Sequence, residues 1–380
     1  MVSMISEMHR LVAEHIKLGQ PLAYDVYDAD NKLLLRKGFV VEKLEQIQEI
    51  LERGMFVEVD ELQKIMERGG LHVHTPIPLK FNPFRVWDEL HGKCTRLLRN
   101  IAHEENFSDK FMELAGQLEQ LCSKDADACI CILMRSDTQR YATSHTINVA
   151  MVVELVAKRM DWPPERRQSA ICAALTMNVG MMELTGKLFN QRDPLTPEQR
   201  NEVNQHPLKS VALLKEAGVQ NEVWLTAVLQ HHESPEGKGY PNRLQEVDPV
   251  AELLHLVDIF CAKVSPRAYR KPIPANQVAK ELFVQESRGG QNPVPGTIIK
   301  EIGIYPPGSF VKLQNGETAI VVRRGENANT PIVFSIASGK GTPYVEPQKR
   351  ETWRKDYGIA GMVPSEKVIT RIDIPKLWGY

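Results

Sequence analysis

The stretch that decides the reading is His231-His232-Glu233-Ser234-Pro235-Glu236-Gly237-Lys238-Gly239-Tyr240-Pro241. Two adjacent imidazoles close an apolar helical pattern over Val223–His232 and run straight into a loop of Gly, Tyr and Pro. A helix end followed by a glycine-rich loop presents both rings to one place. Outward from it, apolar residues at three- and four-residue spacings predict helices over Trp87–His103, Lys110–Leu121, Thr143–Met160, Pro164–Thr176, Val250–Val264 and Ala275–Glu286. Thr196-Pro197-Glu198-Gln199 reads as a helix start, with Thr196 as cap and Pro197 at the first helical position. Residues 84–290 therefore read as a helical domain.

The flanks have a different texture. Residues 1–18 read as an amphipathic helix, Tyr24–Tyr27 and Leu33–Arg36 as a hairpin, Val41–Arg53 as a helix and Phe56–Val59 as a strand. Together they make a small α+β module over residues 1–70, joined through a Pro-rich linker over 71–83 that holds Pro76, Pro78 and Pro83. Beyond the bundle, Phe310–Leu313 and Thr318–Arg323 flank Asn315-Gly316, a strong hairpin signal. Val333–Ile336 and Val368–Ile374 add strand-like runs, so residues 303–380 read as a β-rich domain. The expected fold class is mainly α, with an α+β module before the bundle and a β-rich domain after it.

Composition bounds the rest. The 380 residues are enough for about two or three domains, and 42% hydrophobic with 25% charged residues is ordinary for a globular protein. A net charge of −1 supplies no global basic field for a nucleic-acid polymer, although Arg267–Lys271 forms a local basic run. The six cysteines fall mostly in apolar helical patterns and read as core thiols. No signal-peptide pattern opens the chain, and no run approaches the roughly 20 apolar residues of a membrane helix, so a cytoplasmic location is expected.

Four histidines sit at chemically motivated helical positions: His145, His206, His231 and His232. Asp258 lies within the apolar run Leu256-Val257-Asp258-Ile259-Phe260, where a carboxylate is costly unless paired or bound to a cation. Imidazoles and a carboxylate drawn from separate helices are the usual makings of a metal site in a bundle core.

These segments resemble the HD-GYP family of the HD superfamily, bacterial phosphodiesterases that act on cyclic di-GMP. The likeness covers most of residues 140–275. It rests on Ser144-His145-Thr146, on Gln205-His206-Pro207, on His231–Pro241 with Glu236 where Asp is usual, and on Val257-Asp258-Ile259-Phe260 followed by Arg267-Ala268-Tyr269-Arg270. Ile304-Tyr305-Pro306-Pro307-Gly308-Ser309 also resembles the opening of a β-rich tail found after such domains. The resemblance implies metal ligands at His145, His206, His231, His232 and Asp258. It also implies ligand or docking contacts at Gly239, Tyr240, Pro241, Arg267, Tyr269, Arg270 and Lys271, with cyclic di-GMP or a GGDEF-type diguanylate cyclase as partner and a homodimer as an assembly.

The chain departs from the family where it matters most. The expected His-Asp pair and its following Lys fall on Met177, Asn178 and Met181. A two-metal mechanism needs a bridging carboxylate, which Asn178 does not supply, and a thioether is a soft ligand poorly matched to manganese or iron. The retained imidazoles then read either as a residual site for a single divalent ion such as iron or manganese, or as rings tolerated in a polar pocket. The expected function is a degenerate signalling protein that binds or docks with little or no phosphodiesterase turnover. The competing reading is an active phosphodiesterase with a modified metal site.

Overall fold

The computed structural model of the chain describes residues 8–10, 16, 18–27, 33–43, 46, 56–58, 81–135, 140–265, 271–287 and 291–380. Two compact units divide it, Met1–Phe81 and Asn82–Tyr380.

The first unit holds an antiparallel sheet of β1 (Met8–Arg10), β2 (Val26–Tyr27), β3 (Leu33–Leu35) and β4 (Phe56–Glu58), in the order β1-β4-β2-β3. The expected hairpin is present, with Val26 opposite Leu35 and Tyr27 opposite Leu33 across an irregularity in register. The expected helix over residues 1–18 is corrected: Met8–Arg10 is a strand paired with Phe56–Glu58, so sheet pairing overrides the helical spacing. The helix expected over Val41–Arg53 lies almost wholly outside the described residues.

The second unit opens with α1 (Pro83–Arg99), α2 (Phe107–Lys124), α3 (Ala126–Met134), α4 (Tyr141–Arg159) and α5 (Pro164–Thr176). There follow α6 (Met182–Asn190), α7 (Pro197–Glu216), α8 (Glu222–Gln230), α9 (Pro249–Val264), α10 (Ala275–Glu286) and α11 (Val294–Ile302). Their starts are written in side-chain caps. Asn82 accepts from the Phe84 and Arg85 amides, Asn221 from Trp224 and Asp248 from Val250, while Thr196 and Gln199 close a reciprocal capping box. Pro83, read as linker, is instead the first residue of α1, where its missing N–H costs nothing. The α4 helix is the axis of the bundle, buried from Thr143 through Ala157 on every face, as suits a helix packed on all sides.

The second sheet joins β5 (Phe310–Leu313), β6 (Thr318–Arg323), β7 (Ile332–Ala337), β8 (Pro343–Glu351) and β9 (Ile359–Val363) in the antiparallel order β8-β7-β6-β5-β9. Gly316, at φ +83°, makes the tight turn between β5 and β6. The strand expected over Val368–Ile374 is corrected: Val368 and Ile372 pack irregular chain against the core of Phe310, Ile320 and Trp378, and Ile374 opens a short helix, α12 (Ile374–Trp378). The Asp125 carboxylate accepts from Arg323 and from the Tyr380 hydroxyl (2.6 Å), and Arg324 pairs with Asp127 at 2.5 Å, binding the sheet to α3. All six cysteines are free and buried. No helix among the described residues is long and apolar enough to cross a membrane.

Candidate metal and ligand site

Helices α7 and α8 bring His206 and His231 together, and the loop after α8 adds His232. Ligand-capable atoms of these residues all lie within 4.8 Å of one another. The orientation of the rings comes from the backbone. Pro207 has no N–H, so the Val203 carbonyl, four residues earlier in α7, loses its helical partner. His206 Nδ1 donates to that carbonyl at 2.6 Å. His231 repeats the device at the C-terminal end of α8, where carbonyls run out of partners: its Nδ1 donates to the Val228 carbonyl at 2.7 Å.

A carbonyl only accepts, so each Nδ1 carries the proton and each Nε2 carries a lone pair. These two Nε2 atoms face each other at 3.1 Å. Burial pushes His206 down to about 4 and His231 down to about 3, so at neutral pH no proton lies between them. Two lone pairs converging on one point, each fixed by a carbonyl behind it, suit a cation coordinated by imidazole. His232 is likewise driven below its ordinary value, first by burial and then by His231. Its ring stacks on Tyr240, with centroids 4.6 Å apart and planes 27° apart.

The loop that follows is tied back to this cluster. Glu233, 1% exposed, accepts from the amides of Asn242 (2.6 Å) and Leu244 (3.0 Å). The Tyr240 amide donates to the His232 carbonyl at 3.1 Å. Gly239 is compulsory, since a Cβ there would fall 2.4 Å from Glu233 Cα and 2.5 Å from the His232 oxygen. Gly239 and Tyr240 are thus turned inward as supports of His232, while Glu236 and Lys238 are exposed.

His145 and Asp258 form a second pair, Nε2 to Oδ1 at 2.7 Å, between α4 and α9. Burial alone would raise the Asp258 carboxyl, but the hydrogen bond and charge of His145, helped by His232 and His231, hold it well below the usual carboxylate range. A cavity of about 510 Å³ joins the pair to the cluster, with His145, Asn178, Met181, His232, Tyr240 and Asp258 on its wall. Two buried polar atoms there, His145 Nδ1 and Asn178 Oδ1, have no hydrogen-bond partner among the described residues. The segment that departs from the expected motif is held tightly. Met177 is fully buried and its carbonyl accepts from Ser210 at 2.9 Å. A Cβ on Gly180 would meet the His206 carbonyl at 2.8 Å, so only glycine lets this turn lie against α7.

Of the phosphate-facing residues expected from sequence, Arg267, Tyr269 and Arg270 lie outside the described residues. Lys271 is not at this cavity: it is exposed, pairs with Glu366 at 3.1 Å and lines a different cavity. Sequence reasoning missed His255, whose Nδ1 donates to the His231 carbonyl at 2.8 Å. Its spacing of three residues before Asp258, on one face of α9, was the available signal. It also missed Tyr141, stacked on His145 with centroids 5.3 Å apart, and the Phe189–Leu195 segment along the cavity.

A family model described as an HD domain matches residues 129–288. The cyclic di-GMP phosphodiesterase PA4108 of Pseudomonas aeruginosa is 24% identical over 67% of this chain and 62% of its own length, so the chain spans less than two thirds of that relative. A cyclic di-GMP phosphodiesterase of Thermotoga maritima is 24% identical over 71% of this chain and 72% of its own length. Among solved structures, Bd1817 of Bdellovibrio bacteriovorus, described as an HDG"Y"P protein, aligns with a TM-score of 0.51 at 18% identity, covering 78% of this chain and 98% of its own. That last likeness is one of fold.

Proposed function

Because the chain belongs to the HD-GYP family of HD domains, we propose that it is a cyclic di-GMP signalling protein that works by binding the nucleotide or docking a partner, with little or no phosphodiesterase turnover. The observation that carries this reading is the pair Asn178 and Met181 on the wall of the cavity that holds His145, His232 and Asp258. An amide and a thioether there supply neither the negative charge that brings two divalent ions together nor a cation for phosphate. The residues present fit a single divalent ion: His206, His231 and His232 would hold it, and His145 with Asp258 stands beside them. Such an ion supplies electrostatic attraction for a phosphate oxygen. The chain's own contribution is orientation, through Val203 and Val228 behind the rings and Tyr240 against His232. A GGDEF-type cyclase is the partner we assign to the exposed part of the Glu233–Pro241 loop.

A second reading, an active phosphodiesterase with a modified metal site, is favoured by the intact histidine cluster and by relatives named as phosphodiesterases. One preparation separates the two. Metal content, calorimetry with cyclic di-GMP and a hydrolysis assay under manganese or ferrous iron are measured together. Binding without turnover is the expected result. Turnover at a rate typical of enzymes would overturn the proposal, as would the absence of both nucleotide binding and cyclase capture.

A further inference from the structure

The cavity of about 510 Å³ has a stretch of wall that the histidine cluster leaves unexplained. It is made by Tyr141 at the start of α4, Phe189 near the end of α6, and Arg192 and Asp193 in the segment between α6 and α7. Tyr141 stacks on His145, and Phe189 in turn leans on Tyr141 with centroids 4.6 Å apart and planes 31° apart. Phe189 is half-buried and continues a shelf of rings that begins at His145. Beyond the shelf stand two exposed charges. Arg192 is the one Lys or Arg on this wall among the described residues. Asp193 follows it and carries the opposite charge, yet the two side chains form no ion pair with each other or with any other described residue.

The segment that carries them is braced. The N–H groups of the Gln191 amide are shared among the Asp193 carbonyl (3.1 Å), the Pro194 carbonyl (3.2 Å) and Gln199 Oε1 (3.0 Å). Gln199 Nε2 donates back to Gln191 Oε1 at 2.8 Å, and Gln199 Oε1 also accepts from the Thr196 amide at 3.0 Å. The chain from Gln191 to Thr196 is thereby latched to the first turn of α7, the helix that carries His206. A wall fixed in advance pays less ordering entropy when a ligand binds.

An aromatic face beside a free guanidinium and a free carboxylate matches one nucleobase. Guanine presents N7 and O6 as acceptors, then N1–H and N2–H as donors, along adjoining edges. A guanidinium fits the first two and a carboxylate the second two. Adenine puts an amino group where guanine has O6 and a lone pair at N1, so it turns a donor to the cation and an acceptor to the carboxylate. We propose that Phe189, Arg192 and Asp193 form a guanine-reading subsite of this cavity. The base stacks on Phe189, Arg192 donates to O6 and N7, and Asp193 accepts from N1–H and N2–H, leaving the phosphate for the histidine end. This inference rests on the nucleotide-binding reading given above and adds to it the choice of base.

The test is titration calorimetry on the full chain with manganese present. Guanosine 5'-monophosphate and adenosine 5'-monophosphate serve as one-base probes beside cyclic di-GMP and cyclic di-AMP. Each guanine ligand should bind at least about tenfold more tightly than its adenine counterpart. Arg192→Gln and Asp193→Asn should each weaken the guanine ligands about tenfold and leave the adenine ligands almost unchanged. Both residues are exposed, so neither variant disturbs the core. Guanine preference among the mononucleotides without binding of cyclic di-GMP would support the subsite and count against the cyclic di-GMP reading. Equal binding of cyclic di-GMP and cyclic di-AMP would keep that reading and overturn the subsite. Undiminished guanine binding by both variants, equal weakening of the adenine ligands (which would put Arg192 on phosphate), or no binding of any of these nucleotides would also overturn it.

Discussion

Adding a divalent ion should stabilise this protein by an amount set at the His206–His231 contact. Two Nε2 lone pairs held 3.1 Å apart repel each other until a cation lies between them, and neither ring is free to turn because each Nδ1 is bound to a carbonyl. An ion that binds only the folded state at 100 times its Kd stabilises that state by about 2.7 kcal/mol. The unit Asn82–Tyr380 has an unfolding entropy of roughly 0.6 kcal/mol/K at about 2.1 cal/mol/K per residue, so Tm should rise by about 4 °C. Removing one donor by His206→Ala or His231→Ala should weaken the ion about 100-fold. At the same ion concentration that leaves about 0.4 kcal/mol, under about 1 °C. Differential scanning fluorimetry with manganese, ferrous iron and zinc on apo protein reads this directly, and comparing ion-induced shifts cancels the variants' own stability differences. No shift with any of the three ions, or a shift in either single variant equal to that of the unmodified protein, would refute the reasoning about facing lone pairs.

Restoring Met177→His, Asn178→Asp and Met181→Lys together should raise cyclic di-GMP turnover at least about 100-fold, since single losses around a metal already cost about 10–100-fold; a wild type that turns over as fast as the triple variant would end the case for degeneracy. Gly180→Ala sets a Cβ 2.8 Å from the His206 carbonyl and should destabilise by about 1–3 kcal/mol in urea unfolding while shrinking the ion-induced shift; an unchanged protein would show that this turn can yield. Pro207→Ala returns an N–H that competes for the Val203 carbonyl, so nitrogen-15 NMR of the imidazoles should find His206 partly protonated at Nε2; an unaltered tautomer would contradict the role given to Pro207. Burial raises Glu154 to about 7 despite Arg167, so the folded state keeps a proton that the unfolded chain releases near 4.5. That contribution is complete below about 4.5 and lost as pH rises through 7, about 3 kcal/mol in all. Urea unfolding at pH 5 and pH 7 should therefore show Glu154→Gln losing less stability than wild type across the interval, and parallel losses would contradict it.

Much of the bundle was legible because its signals are local. Apolar spacing located α4, α5 and α10, and Thr196-Pro197 marked the start of α7. What escaped were elements whose residues carry no such contrast. Ala126–Met134 is apolar apart from Asp127 and has no period to read, although Asp125 accepting from Ala128 is a cap in plain sight. Pro343–Glu351 is largely exposed and polar, and its strand character comes from pairing with Ile332–Ala337. At the site, residue types were readable and directions were not. The sequence names His206, His231 and His232, yet that two lone pairs converge follows only from knowing which carbonyls Pro207 and the end of α8 leave free. Lys271 went astray for the opposite reason, since a charge four residues after Arg267 says nothing about which way the chain turns beyond α9.

The way Pro207 and the end of α8 orient their neighbouring histidines bears on how such a site can age. The order of the histidine cluster is borrowed from main-chain atoms of α7 and α8. The segment from Met177 to Met181 belongs to the end of α5 and the turn after it, and its recorded ties to α7 run through its main chain: the Met177 carbonyl and Gly180 amide meet Ser210, and Gly180 lies against the His206 carbonyl. Side chains can therefore be exchanged on one half without loosening the other. Under the proposed function, the exchanges at Met177, Asn178 and Met181 leave the carbonyl-held directions of His206 and His231 in place, so an ion can be seated without the bridging carboxylate.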